Sequence, residues 1–164
     1  MEAITKEIEN AIAAGLYYLA IVTALSLPDV CSALESDDGQ TSGAKYKAWY
    51  DAWMAARYPE MTSLDLYSLR CGVLHQGRLG HSRMQYGRVL FTVPNPQRNT
   101  LHRNVMNDAL NLDAVRFCRD MIECVSVWYA AKQNDPNVQA NLPRLVHFGA
   151  NGLAPYIVGM PLIC

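Results

Sequence analysis

The chain has 164 residues, of which 51% are hydrophobic and 18% charged, a balance that suits one packed domain and excludes extensive disorder. Its net charge of −1 is unevenly divided: residues 1–65 carry ten acids and four bases, residues 66–107 six arginines and no acid, and residues 108–164 five acids and four bases. The middle third is therefore basic through arginine alone, which suits either bidentate recognition of an anion or pairing with acids on flanking helices.

Ile4, Ile8, Ile12, Leu16, Leu19 and Val22 recur at helical spacing and predict one long helix over residues 2–26. Residues 11–28 hold no charge and reach the lower length for a membrane span. The acidic start at Glu2, Glu7 and Glu9, the alanine-rich composition and the abrupt stop at Pro28 and Asp29 argue instead for a buried central helix with no membrane partner. Pro28 suits the first turn of a short second helix through Val30, Cys31 and Leu34, and a turn-rich stretch follows from Ser36 to Gly43. A third helix over 43–57 gathers Tyr46, Trp49, Tyr50 and Trp53 on one broad face, as a core or an oligomer interface would.

Thr62 and Asp65 form the pattern of a capping box, and Leu66, Leu69, Val73 and Leu74 continue it into a fourth helix that Gly77 ends. Residues 87–93 read as a strand closed by Pro94-Asn95-Pro96, with residues 100–110 as its returning partner, a short β-hairpin insertion. A last strong helix is predicted over 112–133 from the seam Val115, Cys118, Ile122, Val125 and Tyr129. The tail 134–164 ends in the apolar run from Tyr156 to Cys164, expected to pack on the bundle or on a second subunit. Five cysteines with no CxxC pair read as reduced and structural, which places the chain in the cytoplasm. The whole reads as a single all-α domain.

Chemistry concentrates at Arg70-Cys71-Gly72-Val73-Leu74-His75, near the end of the fourth helix. Arginine holds a phosphate by two parallel hydrogen bonds, and histidine moves protons near neutral pH. On a regular helix the two side chains diverge by roughly 140°. They therefore meet if the helix frays before His75 or if two copies of the segment face each other across a dimer axis. Arg78, His81, Arg83 and Arg88 follow within a short stretch and are candidate contacts to a nucleic-acid backbone, with Tyr86 and Phe91 as nearby stacking surfaces. No P-loop, GxGxxG, GxSxG or HExxH motif is present, and His75 and His81 lack a zinc spacing, so neither a metal nor a cofactor is expected.

The Arg-x-x-x-x-His pattern, set in a helix behind a long apolar first helix, resembles the signature of the HEPN superfamily over roughly residues 2–133. That resemblance implies a four- to five-helix bundle, a homodimer with apposed motifs and, in many members, a metal-independent endoribonuclease of toxin or defence type. It further implies an antitoxin or nucleotidyltransferase partner. Arg70 would bind and polarise the scissile phosphate, and His75 would act as general base or acid while the RNA 2′-hydroxyl attacks. In active members the residue after the arginine is often polar, whereas here it is Cys71. That departure supports an alternative: a catalytically inactive dimerising module that binds RNA, a nucleotide or a protein. A plain structural bundle is the third reading.

Overall fold

A computed structural model describes residues 1–97 and 100–164. Its described elements are six α-helices and three small sheets: α1 (Glu2–Ala13), α2 (Tyr17–Leu34), α3 (Gly43–Trp53), α4 (Ser63–Gln76), β1 (Arg88–Thr92), β2 (Asn104–Met106), β3 (Ala109–Asp113), α5 (Ala114–Lys132), α6 (Pro136–Asn141), β4 (Phe148–Gly149), β5 (Gly152–Leu153), β6 (Ile157–Val158) and β7 (Leu162–Ile163). This mixed architecture corrects the all-α expectation. The three-stranded sheet is part of the body, because Val89, Leu110 and Leu112 are fully buried in the same core as the helices.

The predicted first helix is two helices. Gly15 adopts φ +73°, a left-handed conformation that interrupts the hydrogen-bond ladder and folds α1 back on α2. The predicted second helix is then the C-terminal part of α2, which runs through Pro28. Proline breaks the local ladder, and the buried Tyr46 hydroxyl donates to the nearby Leu25 carbonyl at 2.9 Å. By length and composition α2 could cross a membrane, with mean hydropathy 1.4. Its packing is that of a core helix, against α1, α3, α4, α5 and α6.

α3 buries Tyr46, Trp49 and Tyr50 as its aromatic face predicts. The other two buried tyrosine hydroxyls also find acceptors: Tyr50 donates to the carbonyls of Tyr58 and Met61, and Tyr58 to the Asp120 carboxylate at 2.7 Å. α5 carries Phe117, Cys118, Met121, Val125 and Trp128 into the core.

The expected hairpin is replaced by a different topology. β1 pairs with β3 in parallel, Arg88 opposite Ala109 through Thr92 opposite Asp113, and the strand order is β1-β3-β2. The hairpin lies instead between β2 and β3, turning at Asn107 and Asp108 with φ of 49° and 62°, the conformation of a type I′ turn. β3 is central and buried at every position. It ends at Asp113, whose side chain accepts from the Arg116 amide and caps α5.

The tail divides. α6 packs on α2, with Val138 fully buried and the Asn141 amide donating to the Leu34 and Ser36 carbonyls. Beyond Arg144 the chain forms two short ribbons, β4 with β7 and β5 with β6. Their apolar side chains face solvent, Phe148 being 68% exposed, Tyr156 81% and Ile163 76%. Of the tail expected on the bundle or on a second subunit, the part through α6 packs on the bundle.

Candidate functional site

The site is built on α4, whose ends are fixed by sequence. Thr62 and Asp65 form a complete capping box, and Gly77 ends the helix at φ +63°. The following loop then closes on the helix. A Cβ on Gly72 would lie 2.6 Å from the Gly80 carbonyl oxygen and 2.9 Å from that of Arg78, so glycine is what lets this loop lie against α4. Asp65, only 1% exposed, also accepts from the Gln85 backbone amide and the Gln85 side chain, both at 2.8 Å. The loop is thus pinned at both ends.

Arg70 and His75 meet within one chain. The helix remains regular through Gln76, yet the long arginine side chain spans the angular gap, with Nη1 3.2 Å from His75 Nε2. A guanidinium only donates, so Nε2 is the acceptor and the imidazole proton resides on Nδ1. Arg70 is itself oriented by a residue not anticipated for the site: its Nε donates to Asp29 Oδ2 at 2.8 Å, and both side chains are largely buried. Burial raises the Asp29 carboxyl above its ordinary range, and the Arg70 charge opposes that rise. The sequence carried one signal for Asp29, since it is the first charge after the long uncharged stretch, and a carboxylate on a core helix calls for a cation. With Nε engaged by Asp29 and one Nη1 proton by His75, three guanidinium protons remain, and Cys71 competes with an incoming anion for them.

The arginines of the acid-free segment divide into two groups. Arg70 pairs with Asp29, and Arg103 makes a two-pronged contact to Glu60 at 2.7 and 3.1 Å while lying over the Tyr58 ring. Arg78, Arg83 and Arg88 are exposed and have no carboxylate within ion-pair distance among the described residues. Arg98 lies outside the described residues. An open groove of about 1010 Å³ begins at Gln76, immediately beyond His75, and is lined by Arg78, His81, Tyr86, Arg88 and Asp108 among others. Arg83 does not line it, although its backbone amide donates to His81 Nδ1 at 3.2 Å. That bond leaves the second imidazole nitrogen of His81 to carry the proton. Phe91, expected as a stacking surface, packs edge-on against Phe117 instead.

A second polar cluster joins the loop before β2 to α5. Tyr58 and Arg57 both donate to Asp120, and His102 Nε2 lies 4.0 Å from the same carboxylate. His102 Nδ1 accepts from the Asp113 amide at 3.1 Å. Burial pushes the His102 imidazole below its ordinary range, partly offset by Asp120. With Tyr58 fully buried, the cluster anchors the loop. Among the described residues, no three His, Cys, Asp or Glu side chains come together in a way that could hold a metal ion.

The site therefore defines a class of chemistry, an Arg/His pair able to handle a phosphate beside an unpaired arginine surface. Comparison with protein-family models, characterised proteins and solved structures finds no match for the chain.

Proposed function

We propose that the chain is a cytoplasmic, RNA-cleaving enzyme in which Arg70 and His75 act on one phosphodiester without a metal. The observation that supports this reading is the convergence of Arg70 and His75, one residue before the groove that Arg78 and Arg88 line. The chemistry is that of the HEPN-type motif that the segment resembles, carried here on a mixed fold. Asp29 orients the guanidinium, which turns its free protons toward a phosphate oxygen. When Arg70 swings onto the phosphate, His75 Nε2 is released to take the proton of the RNA 2′-hydroxyl. The 2′-oxygen attacks phosphorus, the guanidinium stabilises the charge that develops, and the 5′-oxygen departs, taking a proton from water and leaving a cyclic phosphate. Arg78, His81, Arg83 and Arg88 hold the flanking backbone. The working assembly is a homodimer, restrained by an antitoxin or nucleotidyltransferase partner.

The experiment incubates purified protein with total RNA in excess chelator, beside Arg70→Ala and His75→Ala. The parent should yield fragments ending in cyclic phosphate, and each variant should be slower by about a hundredfold or more. Equal cleavage by parent and variants would refute the assignment of these residues.

A second reading rests on the Asp29 ion pair together with Cys71. A guanidinium already held by a carboxylate can serve structure, and the module would then bind RNA, a nucleotide or a protein without cutting. Retention of RNA with no cleavage by the parent would favour it.

A further inference from the structure

The two ribbons of the tail carry a Cys/His pair remote in sequence from Arg70 and His75. His147 and Cys164 are joined by two backbone hydrogen bonds, His147 N–H to the Cys164 carbonyl at 2.7 Å and Cys164 N–H to the His147 carbonyl at 3.0 Å. These extend the β4–β7 pairing by one residue pair and place the side chains side by side. Cys164 Sγ lies 3.2 Å from His147 Nε2, while the other ring nitrogen, Nδ1, lies 3.2 Å from the Leu145 carbonyl oxygen.

The proton positions follow from what each group can do. A carbonyl oxygen only accepts, so Nδ1 carries the proton and Nε2 presents a lone pair. Cys164 then donates its S–H to Nε2. A carbonyl, an imidazole and a thiol in line is the arrangement in which a base fixed in orientation withdraws the proton of a nucleophile. His147 is exposed and Cys164 is partly so, which leaves the sulfur accessible.

We infer that Cys164 is a nucleophilic thiol activated by His147 and a site of mixed-disulfide formation with small disulfides, a property independent of the proposed RNA chemistry. The Cys164 proton passes to His147 Nε2 and the thiolate attacks one sulfur of the small disulfide. A new S–S bond forms as the old one breaks, and the departing sulfur takes the electron pair and then a proton. Cys164 is oxidised and the leaving thiol is the reduced product, so no further oxidant is required. The three core thiols provide the contrast. Cys31, Cys118 and Cys124 are buried, and burial pushes their thiols up, Cys118 to about 12.

The test treats the folded full chain with oxidised glutathione, and separately with limiting iodoacetamide, and follows each cysteine by peptide mass spectrometry. Parent protein should acquire glutathione at Cys164, reversibly on reduction, and the Cys164→Ser variant should not acquire it at that position. In His147→Gln the alkylation rate of Cys164, referred to that of Cys71 in the same sample, should fall about tenfold. Loosening of the ribbon by the substitution would expose the sulfur and raise that ratio, so a fall is specific to loss of the base. No adduct at Cys164 in the parent, or a ratio unchanged or raised in His147→Gln, would overturn the inference.

Discussion

Replacing Asp65 by alanine removes the group that ties α4 to the loop bearing Arg78, His81 and Arg83. The carboxylate accepts from the Thr62 amide at 2.9 Å, the Thr62 hydroxyl at 2.6 Å, and the Gln85 amide and side chain at 2.8 Å each. Thr62 and the Gln85 side chain are exposed and can turn to water, whereas Asp65 is buried and its loss leaves the two backbone donors without their acceptor. Loss of the capping box costs about 1 kcal/mol, and each stranded amide about 1 to 2 kcal/mol. The expected loss is ~3–5 kcal/mol, a large share of the 5–15 kcal/mol typical of a domain. Urea denaturation followed by circular dichroism measures it, and hydrogen exchange should rise first at Gln85 and Tyr86 while α5 stays protected. A loss under about 1 kcal/mol, or unchanged exchange at Gln85, would refute the assignment of Asp65 as the pin.

Gly72→Ala forces a methyl group against the Gly80 and Arg78 carbonyls and should destabilise by about 2 kcal/mol, read from the urea midpoint. Asp29→Asn leaves the guanidinium of Arg70 without its counter-charge in a mostly buried setting; a loss of about 2–3 kcal/mol and slower RNA cleavage are expected, checked by denaturation and by gel assay. His102 has its proton affinity lowered on folding, so its stabilising contribution is present above the ordinary imidazole range and is lost as pH falls through the folded-state value. Thermal scans from about pH 7.5 to about pH 5.5 should show the parent losing more stability than His102→Gln. Arg78→Ala and Arg83→Ala should each lower the salt slope of RNA binding by about 1, while Arg103→Ala, already paired with Glu60, should leave it unchanged, as fluorescence anisotropy would show.

Helices ended by local chemistry were legible in the sequence. Thr62, Asp65 and Gly77 bound α4, and Tyr46, Trp49 and Tyr50 of α3 reach the core as their spacing predicts. Of the α5 seam, Cys118 and Val125 are buried, whereas Val115, Ile122 and Tyr129 lie at the edge of a face centred on Phe117, Met121, Cys124 and Trp128. What escaped depends on long-range pairing. Parallel alignment of Arg88–Thr92 with Ala109–Asp113 has no local signature, because the pairing joins segments separated by β2 and its turn. The β2–β3 turn did have a signal in Asn107-Asp108, a pair suited to positive φ. Gly15 lay within an unbroken apolar periodicity that concealed its role as a hinge. At the site, the angular divergence of Arg70 and His75 on the helix does not keep them apart, because the long arginine side chain bridges it. The sequence marked Asp29 as a charge on an apolar helix but not its partner, which lies 41 residues away on another helix.

In the strand order β1-β3-β2 the outer flank of β1 is met, among the described residues, by one backbone hydrogen bond, from the Val89 amide to the Leu79 carbonyl, and an otherwise open strand flank is a template for another chain. Leu90, 42% exposed, offers apolar surface there, and Arg88 is the charge beside it. Under the proposed function Arg88 would have a second duty, keeping molecules apart by repelling its own copy while it attracts a polyanion. Neutralising it would trade solubility as well as affinity, and loss of colloidal stability in an Arg88 variant would report on that guard before any change in RNA binding is measured.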